Sequence, residues 1–144
     1  MKQTFPYPVE PLPYAYDCLC PALSPETLEF HHDKHYKTYV DNLNSTLADF
    51  PKLQSQTLED LLIHPEDIPE SIRTSIQNNG GGVYNHELYF NCMQGCGFQM
   101  PEGILATAIQ RDFDSLDNFQ RTLTNAAIRR FGSGYAWLVV ENEK

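Results

Sequence analysis

No stretch of this sequence is apolar enough to cross a bilayer. No run approaches the roughly 18 consecutive apolar residues that a span needs, and the opening MKQTFPYPVEP has no hydrophobic centre of the kind a secretion signal carries. A soluble, cytoplasmic chain is therefore expected, with no membrane partner. Positive charge is also scarce: 10 Lys and Arg stand against 19 Asp and Glu, for a net charge of −9, and Arg129-Arg130 is the longest cationic run. That removes nucleic acid as an expected partner, because phosphate binding needs a basic stripe. Cysteine is sparse and poorly spaced. Cys18 and Cys20 form CxC, Cys92 and Cys96 form CxxxC, and the CxxC knuckle of most four-thiolate zinc sites is absent. Reduced, partly buried thiols are the expected state, with a zinc-stabilised interaction module as the alternative.

What is present is an ordinary globular composition, 41% apolar and 20% charged over 144 residues, enough for one domain or two small packed halves. Pro6, Pro8, Pro11 and Pro13 make the first thirteen residues an extended arm. Ser24-Pro25-Glu26 is a helix start, with Ser as N-cap, Pro at the first helical position and an acid in the first turn. No breaker follows until Pro51, so one helix of about 25 residues is predicted, with Leu28, Val40, Leu43 and Leu47 as its core stripe. Short helices are predicted from Thr57 through Leu62, from Pro69-Glu70 onward, over roughly 102–112, and over 116–130 after Ser115 as N-cap. NNGGG at 78–82 ends the second of these on propensity alone, since consecutive glycines are costly in a helix. YAWLVV at 135–140 reads as a strand covered on both faces, yet no other segment is a convincing partner for it.

The chemistry is concentrated in EFHHDKHYKTYV at 29–40, which holds three of the chain's 5 histidines. On a helix His31 and His35 stack, Tyr39 follows one turn later, and His32 and Tyr36 form the neighbouring row. The i, i+4 spacing suits two imidazoles on one metal. The zinc-protease helix needs Glu immediately after its first His, and His32 stands there instead. Each histidine taken singly reads as a surface or satisfied core side chain, whereas the density of the cluster points to metal binding or proton transfer. The residues alone leave both readings open.

With the second signal, NNGGGVYNHELYF at 78–90, the pattern resembles the manganese/iron superoxide dismutase family. LPYAYD at 12–17 and HHDKHYKTYV at 31–40 also resemble its amino-terminal half, and RFGSGYAWLVV at 130–140 resembles the start of its carboxy-terminal half. The resemblance implies an α-helical hairpin domain over residues 1–93, followed over 98–144 by an incomplete α/β (α+β) domain, the whole mostly helical. It implies His31 and His86 as metal ligands, and it carries the triple glycine inside or at the edge of the second long helix. His35 and Tyr39 become proton-handling groups beside the metal, with Tyr39 at the substrate gateway, while His32 and Tyr36 are structural. Superoxide is the implied substrate, disproportionated through a redox-cycling manganese or iron. Lys34 is the candidate for steering the anion, with a solvated surface lysine as the alternative. Gly82, four residues before His86, favours manganese slightly over iron.

The sequence also departs from the family. The family's remaining ligands, an Asp and a His in a DxWEHAYY-type segment, have no counterpart in these 144 residues. Nor do the tyrosine and the acid that bridge its usual homodimer. Tyr135 and Phe90 stand where tryptophans are usual, and Gln77 and Gln94 are poorly placed to replace the glutamine that holds metal-bound water. The expectation is of a truncated chain that binds metal loosely and dismutes superoxide poorly or not at all. The alternative is an inactive remnant or association module with weak two-histidine metal binding.

Overall fold

A computed structural model describes residues 3–95 and 99–141, which divide into two compact units, 1–96 and 97–144. In the first unit the proline-rich arm is tied to the helices by hydrogen bonds. Tyr7 N–H donates to Asn44 Oδ1 and Asn44 Nδ2 donates back to Tyr7 O, both at 2.8 Å. His32 Nε2 donates to Glu10 O at 2.7 Å.

A helical rod covers residues 25–47 in three segments: α1 (Pro25–Glu29), a π-helical stretch (Phe30–Tyr36) and α2 (Lys37–Leu47). Ser24 starts it as expected, its hydroxyl accepting from Thr27 N–H at 3.1 Å. The π-helical stretch coincides with FHHDKHY, and Lys37 N–H reaches back five residues to His32 O. Such local widening of an α-helix is frequent where side chains must be re-aimed for function.

The next helix, α3 (Leu58–Ile63), opens on a capping box. Thr57 Oγ1 accepts from Asp60 N–H at 3.2 Å while Asp60 Oδ2 accepts from Thr57 N–H at 3.3 Å. A 3₁₀ turn (Pro65–Asp67) leads to α4 (Glu70–Asn91), which runs without a break through Gly80, Gly81 and Gly82. The break expected from propensity does not occur, because tertiary packing outweighs it. A Cβ on Gly80 would lie 3.3 Å from Leu58 Cδ1 and 3.4 Å from Leu62 Cδ2. One on Gly82 would lie 2.5 Å from the Tyr39 ring. The glycines let α4 approach its neighbours, and the contacts so gained offset the roughly 1 kcal/mol per glycine that a helix interior loses.

The core of this unit holds Leu28, Val40, Leu43, Leu47, Leu61, Ile68, Ile76 and Val83, with Tyr36 fully enclosed among them. Each such aliphatic side chain contributes about 1.5–3 kcal/mol on burial.

The second unit contains α5 (Gly103–Phe113) and α6 (Leu116–Arg129), joined through Asp114 in the left-handed conformation (φ 65°). Ser115 caps α6 by accepting from Asn118 N–H at 3.1 Å, and Phe113 meets Phe119 edge-on at 5.2 Å. The strand expected at 135–140 is not formed. Residues 130–141 adopt no regular element, and there is no strand among the described residues to pair with them. A lone strand has no ladder to satisfy its N–H and C=O groups, and Val139 and Val140 lie 67% and 83% exposed.

The thiols also differ from expectation. Cys18 is half-buried, but Cys20 and Cys92 are exposed, and all three are free. Their small side chains sit at the loop and helix end rather than in the core. Cys96 lies outside the described residues. No helix among the described residues is long and apolar enough to cross a membrane.

Candidate metal centre

The π-helical stretch turns His31 and His35 to the same side of the first rod, where their rings stack at 5.8 Å. From α4, His86 meets both edge-on, 5.0 Å from His31 and 5.1 Å from His35. Tyr39, one turn further along the first rod, lies 5.2 Å from His86. One ring nitrogen from each of His31, His35 and His86 falls within 4.8 Å of the others. Residues 55 positions apart in sequence therefore meet at one point between the two rods.

The orientation of His86 is set by the backbone of its own helix. Its Nδ1 lies 2.6 Å from Gly82 O, and a carbonyl can only accept, so Nδ1 carries the hydrogen. That leaves the lone pair on Nε2, the arrangement in which a histidine ligates a metal while its other nitrogen is held by a carbonyl. Tyr36 stacks on the ring from behind, 6.0 Å away at 21°, and Phe90 closes the side toward His31 at 5.2 Å. The site has a buried end at His86 and an open end at His35, with His31 half-buried between them.

Burial disfavours the imidazolium form at both inner positions. The His31 imidazole is lowered to about 4, by burial first and then by the neighbouring imidazoles of His86, His35 and His32. His86 is also lowered by burial and by His35, with the Gly82 hydrogen bond acting in the opposite sense. Neutral imidazole is the ligating form, so at neutral pH both rings are ready to coordinate without first losing a proton. The donor set suits a divalent transition metal: neutral nitrogens on rigid elements, one tautomer already chosen.

The other residues singled out in the sequence are placed as follows. Lys34 is exposed, one position before His35, and Gln77 and Gln94 are exposed. His32 is buried and bound to the arm, its Nδ1 lying 2.6 Å from Asp33 Oδ1. Tyr36 does more than fill space, since its hydroxyl donates to Glu87 Oε1 at 2.9 Å and accepts from Glu10 N–H at 3.1 Å. Glu87 was not singled out by sequence reasoning. Its only local signal is an acid immediately after His86 on a helix that must bury that face. A second group of close donors, His64, Glu66 and Asp67, is exposed at the 3₁₀ turn.

Residues 6–94 match the α-hairpin domain of iron/manganese superoxide dismutases, and residues 101–144 match their carboxy-terminal domain. A manganese superoxide dismutase of Leptolyngbya boryana is 43% identical over 138 residues, 96% of this chain and 56% of the relative. One of Bacillus cereus is 44% identical over 133 residues, 92% of this chain and 64% of the relative. One of Listeria monocytogenes is 42% identical over 138 residues, 96% of this chain and 68% of the relative. The chain thus spans between about half and two thirds of the length of these relatives. With both family domains matched in order and the identity sustained along nearly all of its length, the chain belongs to the iron/manganese superoxide dismutase family.

Proposed function

We propose that these residues form the hairpin side of a manganese or iron superoxide dismutase centre, with His31 and His86 as metal ligands. The supporting observation is the meeting of those two rings at 5.0 Å, from different rods, with His86 held by Gly82 in the ligating tautomer. Bound manganese or iron would supply the one-electron exchange by which superoxide disproportionates to oxygen and hydrogen peroxide. The residues around it have separate tasks. Peroxide needs two protons, and Tyr39 and His35, 5.2 Å apart on the open side of His86, are the groups placed to hand them on. Exposed Lys34 gives an anionic substrate a local positive charge on a chain of net charge −9. Gly82 leaves room for the Tyr39 ring where a larger side chain would displace it. Manganese is favoured over iron, both by that glycine and by the manganese enzymes among the relatives.

A second reading, weak metal binding without turnover, is favoured by one observation: the donors gathered here among the described residues are all imidazoles. Carboxylate is the donor that stabilises a trivalent ion, and without it the redox cycle loses one of its two states. Metal analysis of the purified 144-residue polypeptide, together with a superoxide assay, separates the two. Loose metal and little or no turnover are expected of this polypeptide, with His31→Gln and His86→Gln abolishing what metal there is. One tightly held equivalent and fast turnover would contradict that expectation. Metal content indifferent to both substitutions would contradict the ligand assignment.

A further inference from the structure

On α4, Tyr84, Leu88 and Asn91 lie on the face turned away from His86. Tyr84 and Leu88 are each two residues from it, about 200° around a helix of 3.6 residues per turn. Between that face, the proline-rich arm and the start of α3 is a hollow of about 450 Å³, a size usual for a small-molecule pocket. Tyr7, Leu58, Tyr84 and Leu88 give it aromatic and aliphatic walls, and Glu59 and Glu87 give it carboxylates. A second hollow of about 260 Å³, with Glu10 in its lining, shares Gln3, Glu87 and Asn91 with the first.

We propose that the joined hollows bind a linear aliphatic polyamine, a small cation with ammonium groups spaced along an apolar stem. None of the residues lining either hollow is Lys or Arg, so no cationic side chain in the linings offsets the carboxylates. Glu87 Oε1 accepts from the Tyr36 hydroxyl, while its Oε2 has no hydrogen-bond partner among the described residues. The exposed Glu59 side chain has neither a hydrogen bond nor an ion pair among them. Both carboxylates therefore have acceptor capacity to offer a ligand.

The placing of the carboxylates selects an extended ligand over a bare ion. A divalent metal needs oxygens that converge on one point. Glu10, Glu59 and Glu87 do not form one of the groups whose donor atoms all come within 4.8 Å of one another. They are still near enough for Glu10 and Glu59 to act on the charge of Glu87. Charges set apart along a trough match ammonium groups set apart on a stem, each able to donate to a carboxylate. The methylenes between them would lie on Leu58 and Leu88, and an ammonium over the Tyr84 ring gains a cation–π contact. A net charge of −9 draws such a cation in from a distance.

The test is calorimetric titration of the purified 144-residue polypeptide with spermidine, with 1,8-octanediol and with Mg(II). A salt concentration of about 0.15 M screens general attraction. The wild type is compared with Glu59→Gln, Glu87→Gln and, as a control, Glu70→Gln. Glu70 begins the same helix, about 25 Å from Glu87 along its axis. Spermidine should bind at least tenfold more tightly than Mg(II), and the uncharged diol should not bind. Glu59→Gln and Glu87→Gln should each weaken spermidine at least fivefold, with Glu70→Gln within twofold of wild type. Equal weakening by all three variants, or by none, would mean general charge attraction and overturn the site, as would no binding of spermidine at millimolar concentration. Mg(II) as tight as spermidine would overturn the choice of an organic cation, and the diol as tight would overturn the role of charge. Should Glu87→Gln fail to fold, Glu59→Gln, on the exposed side, decides the matter.

Discussion

Tyr36 and Glu87 join the two rods that carry the histidines. The phenol donates to Glu87 Oε1 at 2.9 Å across 51 positions of sequence, one residue from His86, while its ring stacks behind that imidazole. Burial raises both groups, the Tyr36 phenol and the Glu87 carboxyl, above their ordinary values. Tyr36→Phe keeps the ring but strands the carboxyl and the Glu10 N–H that the hydroxyl accepts. Leaving such groups unsatisfied costs about 1–3 kcal/mol. A fall of that size in urea unfolding free energy is expected, and an unchanged midpoint would show that the link contributes nothing.

Glu87→Gln tests the other half of the pair. A carboxyl whose folded value is raised stabilises the fold below its ordinary value of 4.5 and loses that contribution as pH rises through the folded value. Gln keeps an acceptor for Tyr36 without the buried charge. The variant should therefore match or exceed wild-type stability at pH 7 and lose the advantage near pH 4. Lower stability than wild type at pH 7 would mean that the charge itself holds the pair together.

Adjacent glycines should respond in opposite directions to alanine. Nothing lies within 4 Å of a Cβ on Gly81, so Gly81→Ala should stabilise α4 by about 0.5–1 kcal/mol. At Gly82 the new methyl would meet Cδ1, Cγ and Cε1 of Tyr39 at 2.5–2.8 Å. Overpacking of this kind costs typically about 1–3 kcal/mol, so a net loss is expected despite the better helix propensity. Thermal melts of the two variants check this, and equal shifts in both would contradict the close approach.

Acid should loosen the metal-free hairpin through His31. Its ordinary value is 6.5 and its folded value about 4, so the unfolded chain takes up a proton in this range that the folded chain refuses. The stability is present above pH 6.5 and is lost as pH falls toward 4. Lowering of His86 acts in the same sense. Unfolding in chelator across pH 7 to 4 should show the loss, and His31→Gln should make the profile flatter. A wild-type profile already flat over that range would contradict the burial of these rings.

Much of this was legible locally. Ser24, Thr57 and Ser115 mark helix starts because a cap is a short-range device, read from three or four neighbouring residues. The core stripe of the first rod followed from its period. Three features were not legible from local patterns, because each depends on distant contacts. The run through Gly80–Gly82, implied by the family resemblance but opposed by helix propensity, depends on Leu58, Leu62 and Tyr39. The π-helical widening at 30–36 has no local sequence rule, and the Tyr36–Glu87 link joins positions that only the fold brings together. In YAWLVV the apolar pattern was plain, but a strand exists only with a partner. The histidine cluster lay between these cases: its density was visible at once, whereas its meeting with His86 required the whole hairpin.

The most direct test is anomalous diffraction at the metal edge, from crystals of the 144-residue polypeptide grown with Mn(II) or Co(II). A shared ion would give one peak about 2 Å from ring nitrogens of both His31 and His86. A peak only at the exposed His64, Glu66 and Asp67 group, or no peak between the two rods, would contradict it.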